Sequence, residues 1–442
     1  MLLITECGFF LVVSLLLGRA LFGHRLVNPV AVFFGVWAAD FLLLQLDRYI
    51  GAFSFTLSSG SERLFFGSFL AFGLASLSVG ILAPSSVAAS FSDIPIPALR
   101  RCNRVLAVLY GAGAVSKYAI LIRTFGLRSA LSMGRIAISR GEFDYPWICG
   151  FLTIFGYLFV LNLGIIAARS RSWRPWIVFA LAELIAAIND APTGYRGQSM
   201  NFAFFFAAAW ALTVVTSGRV IRLRHLVTTG VVAICLALAL EAVHYAAVWT
   251  AADSATESEL EPSDVIMLGL VLNYIDIVGT IPATTWYLDA PRDAEIDLDS
   301  HPGLNTFRGI YQLADKAIAP LGFRVLPEQE TPYVPSNPLT GHTFTAFNYL
   351  TAFQTDFGTF GAFFLSAILG LSATVIVKGA FAFPTVRHIE SAACFLALMA
   401  ASWRAFYFAD PFFWVTLTLI WIQGAYLRSD ETSWKYSYAT VR

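Results

Sequence analysis

Apolar residues in this chain gather into eleven runs, each close to the length that crosses ~30 Å of hydrocarbon. They lie at 3–22, 29–46, 64–83, 104–122, 148–168, 175–190, 199–216, 226–249, 357–377, 389–408 and 411–427. The pattern predicts an all-α polytopic membrane protein of about eleven transmembrane helices. Basic residues follow the odd-numbered runs: Arg25; Arg100 and Arg101; Arg169, Arg171 and Arg174; Arg219, Arg222 and Arg224; Lys378 and Arg387; Arg428, Lys435 and Arg442. Cationic loops stay in the cytoplasm, so the N-terminus is expected outside and the C-terminus inside. One further apolar stretch, 264–288, is broken by Asn273, Asp276 and Pro282. If it spanned, the basic tail would lie outside, so it reads as an interfacial or re-entrant helix on the outer side. The N-terminus has no basic segment and only Glu6 for charge, so the first run reads as a retained helix, not a cleaved signal peptide.

This division gives helices 1–8 over 1–249, one large outer loop with short helices over 250–356, helices 9–11 over 357–427, and a tail over 428–442. No internal repeat is evident by inspection, which disfavours transporters built from paired halves. Composition agrees. Of 442 residues, 57% are hydrophobic and 13% charged, with a mean hydropathy of +0.68, whereas a soluble domain is nearer a quarter charged. The net charge is zero, and no basic tail suggests nucleic acid. Cys7, Cys102, Cys149, Cys235 and Cys394 are scattered without a CxxC pair, so neither a disulfide framework nor a zinc site is supported.

Six ionisable residues stand inside or at the mouth of these runs: Asp40, Lys117, Glu183, Glu241, Asp356 and Arg404. A charge at the bilayer centre costs at least ~2.5 kcal/mol on insertion scales, so such residues usually face a cavity. In the expected orientation Asp40, Lys117, Glu241 and Arg404 fall in outer halves, Asp356 at the outer mouth of the ninth helix, and Glu183 near mid-depth. An outward-opening cavity explains the bias. Structural ion pairs, such as Lys117 with Asp40 or Glu183, are the alternative.

Arginines mark the outer connections. In the segment 123–147, residues 127–140 fit an amphipathic helix with Arg128, Ser132, Arg135 and Ser139 on one face, suited either to lipid phosphates or to a ligand. Arg140 is followed by Gly141, which admits close approach of a ligand to the backbone. The hairpin 191–198 holds Arg196 between Gly194 and Gly197, and Arg308-Gly309 repeats the pairing in the long loop. Guanidinium binds phosphate bidentately and keeps its charge, which suits a pyrophosphate; a snorkelling surface arginine is the alternative. Asp293, Glu295, Asp297 and Asp299 match no calcium loop and read as a solvated stretch. His301 and His342, the two histidines of the outer segments, are candidate bases near neutral pH. Tyr311, Tyr333, Phe347 and Tyr349 suit either sugar stacking or packing beneath the loop. No GxSxG, HExxH or P-loop is present.

The run from Asn337, Asn-Pro-Leu-Thr-Gly-His-Thr-Phe-Thr-Ala-Phe-Asn-Tyr-Leu-Thr-Ala-Phe-Gln-Thr-Asp-Phe-Gly-Thr-Phe-Gly, leads into an apolar helix. It resembles the Wzy-type O-antigen and oligosaccharide repeat-unit polymerases, which carry a large outer loop and a Thr-rich run into an aromatic–Asp-Phe-Gly-x-x-Gly helix start. Here that start is Asp356-Phe357-Gly358 with Gly361, and Thr355 stands where the family more often has an aromatic. The Gly-x-Arg-Gly hairpin at 194–197 and the order of helices are also similar, over roughly 130–430.

The resemblance implies a glycosyltransferase of the cell inner membrane, multi-pass, with its active site facing the periplasm. It would move a growing glycan from undecaprenyl pyrophosphate onto the non-reducing sugar of another lipid-linked repeat. On that expectation Arg196, Arg308, Arg140, Arg135 and Arg404 attend the pyrophosphate, and His342 or His301 is the base. Asp356 then orients the acceptor or the histidine, and Asp40, Lys117 and Glu241 line the cavity. No metal or other cofactor is required, because the leaving group is already activated. Expected partners are the undecaprenyl-pyrophosphate-linked oligosaccharide, membrane lipid, and, as protein candidates, a chain-length regulator and a flippase. An O-antigen ligase, another polyprenyl-phosphate-dependent glycosyltransferase, and a lipid or sugar transporter are the rival readings.

Overall fold

The computed structural model describes residues 2–23, 27–45, 58–82, 95–126, 145–170, 172–190, 197–219, 278–289, 303–321, 323, 348–402 and 410–439. Among these, twelve α-helices form and no strand: α1 Leu2–Phe22, α2 Pro29–Leu44, α3 Ser59–Leu82, α4 Ile96–Phe125, α5 Trp147–Arg169, α6 Arg174–Asp190, α7 Gly197–Thr216, α8 Thr280–Asp289, α9 Leu304–Ile318, α10 Tyr349–Ala382, α11 Val386–Ala401 and α12 Pro411–Ala439. Ten of the eleven apolar runs coincide with helices; the run 226–249 lies outside the described residues. Five helices, α3, α4, α5, α7 and α10, are long and apolar enough to cross a membrane. The described residues are all-helical, and the chain is a membrane-embedded helical protein.

Local sequence explains several boundaries. Asn28 caps α2, its Oδ1 accepting the Ala31 N–H at 2.8 Å, and Pro29 stands at the first turn, where a missing N–H costs nothing. Asn348 caps α10 in the same way through the Thr351 N–H, at 3.1 Å. Within hydrocarbon, helices gain little by associating hydrophobically, so close packing and polar contacts between them decide which faces meet.

The chain divides into two compact units. The first comprises Met1–Ser90, Tyr274–Phe383 and Phe395–Val415, and the second Phe91–Asn273, Pro384–Cys394 and Thr416–Arg442. In the first, α3 packs along α10 and α1 against α2. Its core is aromatic: Phe33 stacks on Phe72 at 4.0 Å, while Trp37 meets Phe65, Phe69 and Tyr349. The Ser76 hydroxyl donates to the Gly370 carbonyl at 3.2 Å. Lys378 of α10 reaches the Gly80 carbonyl of α3 and lies over the Phe22 ring of α1, so these three helices end at the same level.

In the second unit α5 packs against α4 and α7. Gly164 of α5 lies so close to α7 that an added Cβ would stand 2.9 Å from Ala209 Cβ and 3.0 Å from the Trp210 nitrogen. Tyr157 meets Phe202 and Phe205, and Phe179 of α6 stacks on Phe206 at 4.0 Å. A buried polar chain ties the unit: Asn162 and Gln423 exchange hydrogen bonds at 2.9 and 3.0 Å, and Gln423 donates to Glu390 at 2.8 Å.

One boundary differs from expectation. The ninth run begins eight residues earlier as helix, at Tyr349, and bends at Gly358, whose φ of 67° and ψ of −175° only glycine adopts readily. Within 264–288 the described part is residues 278–288, most of α8 included, and Thr280–Thr285 are buried, with α8 packed on α3 and α10. The amphipathic segment 127–140 lies outside the described residues.

Candidate functional site

Asp40, Asp356, Arg308 and Asp410 lie toward one end of the first unit. There the C-terminal half of α2 meets the start of α10 through Trp37 and Tyr349, and Trp37 Nε1 donates to Ser402 Oγ at the end of α11. Asp40, one turn after Trp37, is 2% exposed, and neither carboxyl oxygen has a hydrogen-bond partner among the described residues. A threonine-rich knot fixes α8 to α10 nearby. Asn348 Nδ2 donates to Thr284 Oγ1 at 2.8 Å, and the Thr284 and Thr351 hydroxyls meet at 2.7 Å. The Thr-rich character that stood out in the sequence therefore has a structural use here.

Asp356, two residues before the Gly358 bend, turns its carboxylate onto the first turn of α9. Its Oδ1 accepts from the Asn305 N–H at 3.2 Å and from Asn305 Nδ2 at 2.9 Å, and its Oδ2 accepts from the Thr306 N–H at 2.6 Å. Gly303, the residue preceding α9, has no side chain with which to cap the helix. Asp356 supplies the cap from fifty residues downstream, and its negative charge suits the positive end of the helix dipole. Asp356 is thus a clamp on α9.

The next residues of that helix carry the site. Arg308 is half-buried, with a buried Nε that has no hydrogen-bond partner among the described residues. Gly309 is buried against the start of α12: a Cβ there would stand 2.6 Å from the Asp410 carbonyl carbon and 2.7 Å from the Pro411 nitrogen. The Arg-Gly pairing thus brings a guanidinium-bearing turn onto Asp410, whose carboxyl lies within the field of Arg308. Burial pushes the Asp410 carboxyl up to about 7, and Arg308 opposes that shift without cancelling it. Asp410 is half-buried by surface area, so its side chain keeps some access.

A second polar group lies at one end of the other unit, formed by the end of α4, the start of α5, the end of α6 and the start of α7. Asp190 Oδ2 accepts the Gln198 and Ser199 N–H groups at 3.0 and 3.1 Å, and Gln198 Nε2 donates to the Thr153 carbonyl at 3.3 Å. Asp190 thereby caps α7. Lys117 lies 5.4 Å from the Tyr145 ring centroid, within range of a cation–π attraction. The carboxylate whose field reaches Lys117 is Asp190, the residue that takes the place expected of Asp40 or Glu183. Gly126 and Tyr145, which flank the segment bearing Arg135 and Arg140, both belong to this end.

Of the residues singled out in the sequence, Asp356 and Arg308 are brought together, Asp40 lies at the same end of their unit, and Lys117 belongs to the second unit. His342, His301, Arg196, Arg140, Arg135, Arg404 and Glu241 lie outside the described residues. Tyr349 is fully buried among Phe33, Trp37 and Phe353, so it packs the core and is no sugar platform; Tyr311 is half-buried. Three acidic residues escaped the sequence reading: Asp410, Asp190 and Glu390. Asp190 carried a local signal, because a carboxylate seven residues before a Gly-Gln-Ser helix start suits a cap on that helix. Among the described residues no three His, Cys, Asp or Glu side chains converge as a metal site. Comparison of the chain with family models, with curated proteins and with solved structures finds no match.

Proposed function

We propose that the protein is a polyprenyl-pyrophosphate-dependent glycosyltransferase that polymerises lipid-linked oligosaccharide repeat units. In this reading the chain crosses the inner membrane eleven times with its N-terminus outside. The charged end of each unit faces the periplasm. The observation that carries the reading is Arg308: its buried Nε has no hydrogen-bond partner among the described residues, and the helix that bears it is held by Asp356 and by the Gly309 contact. A fixed cation with an open donor suits a phosphate ligand, and such a group stabilises the charge that develops as a pyrophosphate departs. Arg196, Arg140, Arg135 and Arg404 are assigned to the same phosphates from the sequence, and His342 or His301 remains a candidate for proton transfer.

The test is reconstitution. Purified full-length protein in nanodiscs is given undecaprenyl-pyrophosphate-linked repeat units, and products are resolved by mass. Wild type is expected to build a ladder of multiples, Arg308→Ala to lose it by at least about a hundredfold, as for removal of a transition-state charge partner. Transfer to a lipid A core instead of to a second repeat would identify a ligase. Absence of any transfer from several such donors would sink the proposal.

A further inference from the structure

Three carboxylates share the Arg308 end of the first unit, and their surroundings separate their roles. Asp40 is sealed at 2% exposure and cannot meet a sugar. Asp356 commits both oxygens to three donors of α9. Asp410 differs from both: it is half-buried, no donor among the described residues is bonded to its carboxyl, and it is held against the Arg308 turn by the Gly309 contact. We infer that Asp410 is the proton acceptor for the acceptor sugar hydroxyl, working beside Arg308 on the departing phosphate. The assignment rests on the glycosyl transfer proposed above.

The step balances without any further reactant. The ionised Asp410 carboxylate takes the hydroxyl proton as that oxygen forms its bond to the donor's anomeric carbon. The bond from that carbon to the pyrophosphate oxygen breaks, its electron pair stays on the phosphate, and Arg308 stabilises the added charge. Asp410 then yields its proton to water. A base works best when its acidity lies near the working pH, and burial has brought this carboxyl to about 7. Arg308 is the charged group that acts on it among the described residues, so the guanidinium both binds phosphate and keeps the base partly ionised.

Initial rates of the reconstituted protein with undecaprenyl-pyrophosphate-linked repeats, measured from pH 5 to 9, test this. Wild type should rise along a single-proton limb centred near pH 7. Asp410→Asn should lower kcat by ~10²- to 10⁴-fold, the usual weight of a general base, with KM nearly unchanged and the limb gone. Arg308→Gln, slow but measurable, should move the limb to higher pH, whereas Arg308→Lys should leave it in place; this pair decides the matter even if Asp410→Asn does not fold. A limb that persists in Asp410→Asn, or that stays put in Arg308→Gln, overturns the assignment while leaving the transferase reading intact. Wild-type protein that transfers nothing removes both.

Discussion

Replacing Gly309 by alanine separates two opposed effects whose sizes can be worked from the structure. In a helix interior alanine is favoured over glycine by ~1 kcal/mol, because it loses less backbone entropy. At Gly309 the added Cβ would stand 2.6, 2.7 and 2.8 Å from the Asp410 carbonyl carbon, the Pro411 nitrogen and the Asp410 oxygen, all backbone atoms. Ordinary contact begins at 3.4 Å, so α9 and α12 must part by about 0.8 Å (3.4 minus 2.6). Overpacking of this kind costs ~1–3 kcal/mol, so the net change is expected to be destabilising. The parting falls next to Arg308, and a misplacement near 1 Å can lower a rate by ~10²-fold. Gly111 of α4 is the matched control, since an alanine Cβ there meets nothing within 4 Å. Thermal unfolding of the purified variants, followed by tryptophan fluorescence, should show Gly309→Ala melting below wild type and Gly111→Ala at or above it. Polymerisation should fall only in the first. If Gly309→Ala melts as high as Gly111→Ala and polymerises normally, the close approach of α9 to Asp410 is not what the site depends on.

Three further outcomes follow from the same contacts. Asp356→Ala removes the cap that α9 receives from α10 and should cost ~0.5–2 kcal/mol, with Asp356→Asn intermediate because one oxygen still accepts; faster protease cleavage within 304–318 is the readout. Asp190→Ala strips two acceptor contacts from the start of α7 and should cost a similar ~0.5–2 kcal/mol, with the loss appearing in thermal unfolding and not in Asp190→Asn to the same extent. The folded-state pKa of Asp410 is raised to about 7 from an ordinary 3.8, chiefly by burial. The folded protein therefore holds a proton that the unfolded chain releases, and wild-type stability should fall as pH rises from about 4 to about 7. Asp410→Asn should accordingly melt higher than wild type at pH 8 and level with it at pH 4; an equal difference at both pH values would contradict the raised pKa.

Period and composition made the helices readable, because a membrane span is specified by length and hydropathy within one continuous segment. The site was readable only where a special residue had a local reason to be there. Arg308-Gly309 and Asp356-Phe357-Gly358 drew notice as short patterns, and the structure joins them: Gly309 makes room for α12, Gly358 bends α10, and Asp356 reaches back to α9. Asp410 gave no such sign. It stands between two apolar runs just before Pro411, where an aspartate is an ordinary helix-start residue, and its meaning comes from an arginine a hundred positions earlier. Glu390 was hidden in another way. At the edge of its apolar run, beside Arg387 and His388, it reads as a polar helix end, yet it is 0% exposed and tied to Gln423 and Asn162.

Asp356 shows why such roles cannot be read from residue type. An aspartate at the mouth of a membrane helix, following His342 in the sequence, has the local attributes of an acid–base group. What decides its chemistry is the count of free acceptor positions. Three N–H groups occupy the acceptor positions that a substrate hydroxyl would need. Asp410 has the converse allotment, with no such donors among the described residues, desolvation, and one cation nearby. Two aspartates against the same helix are thereby separated into a clamp bonded to the helix start and an open carboxyl beside Arg308. That separation depends on α9 lying between them, so any change that loosens the helix from Asp410 should also bring the carboxyl of Asp410 back toward ordinary acidity.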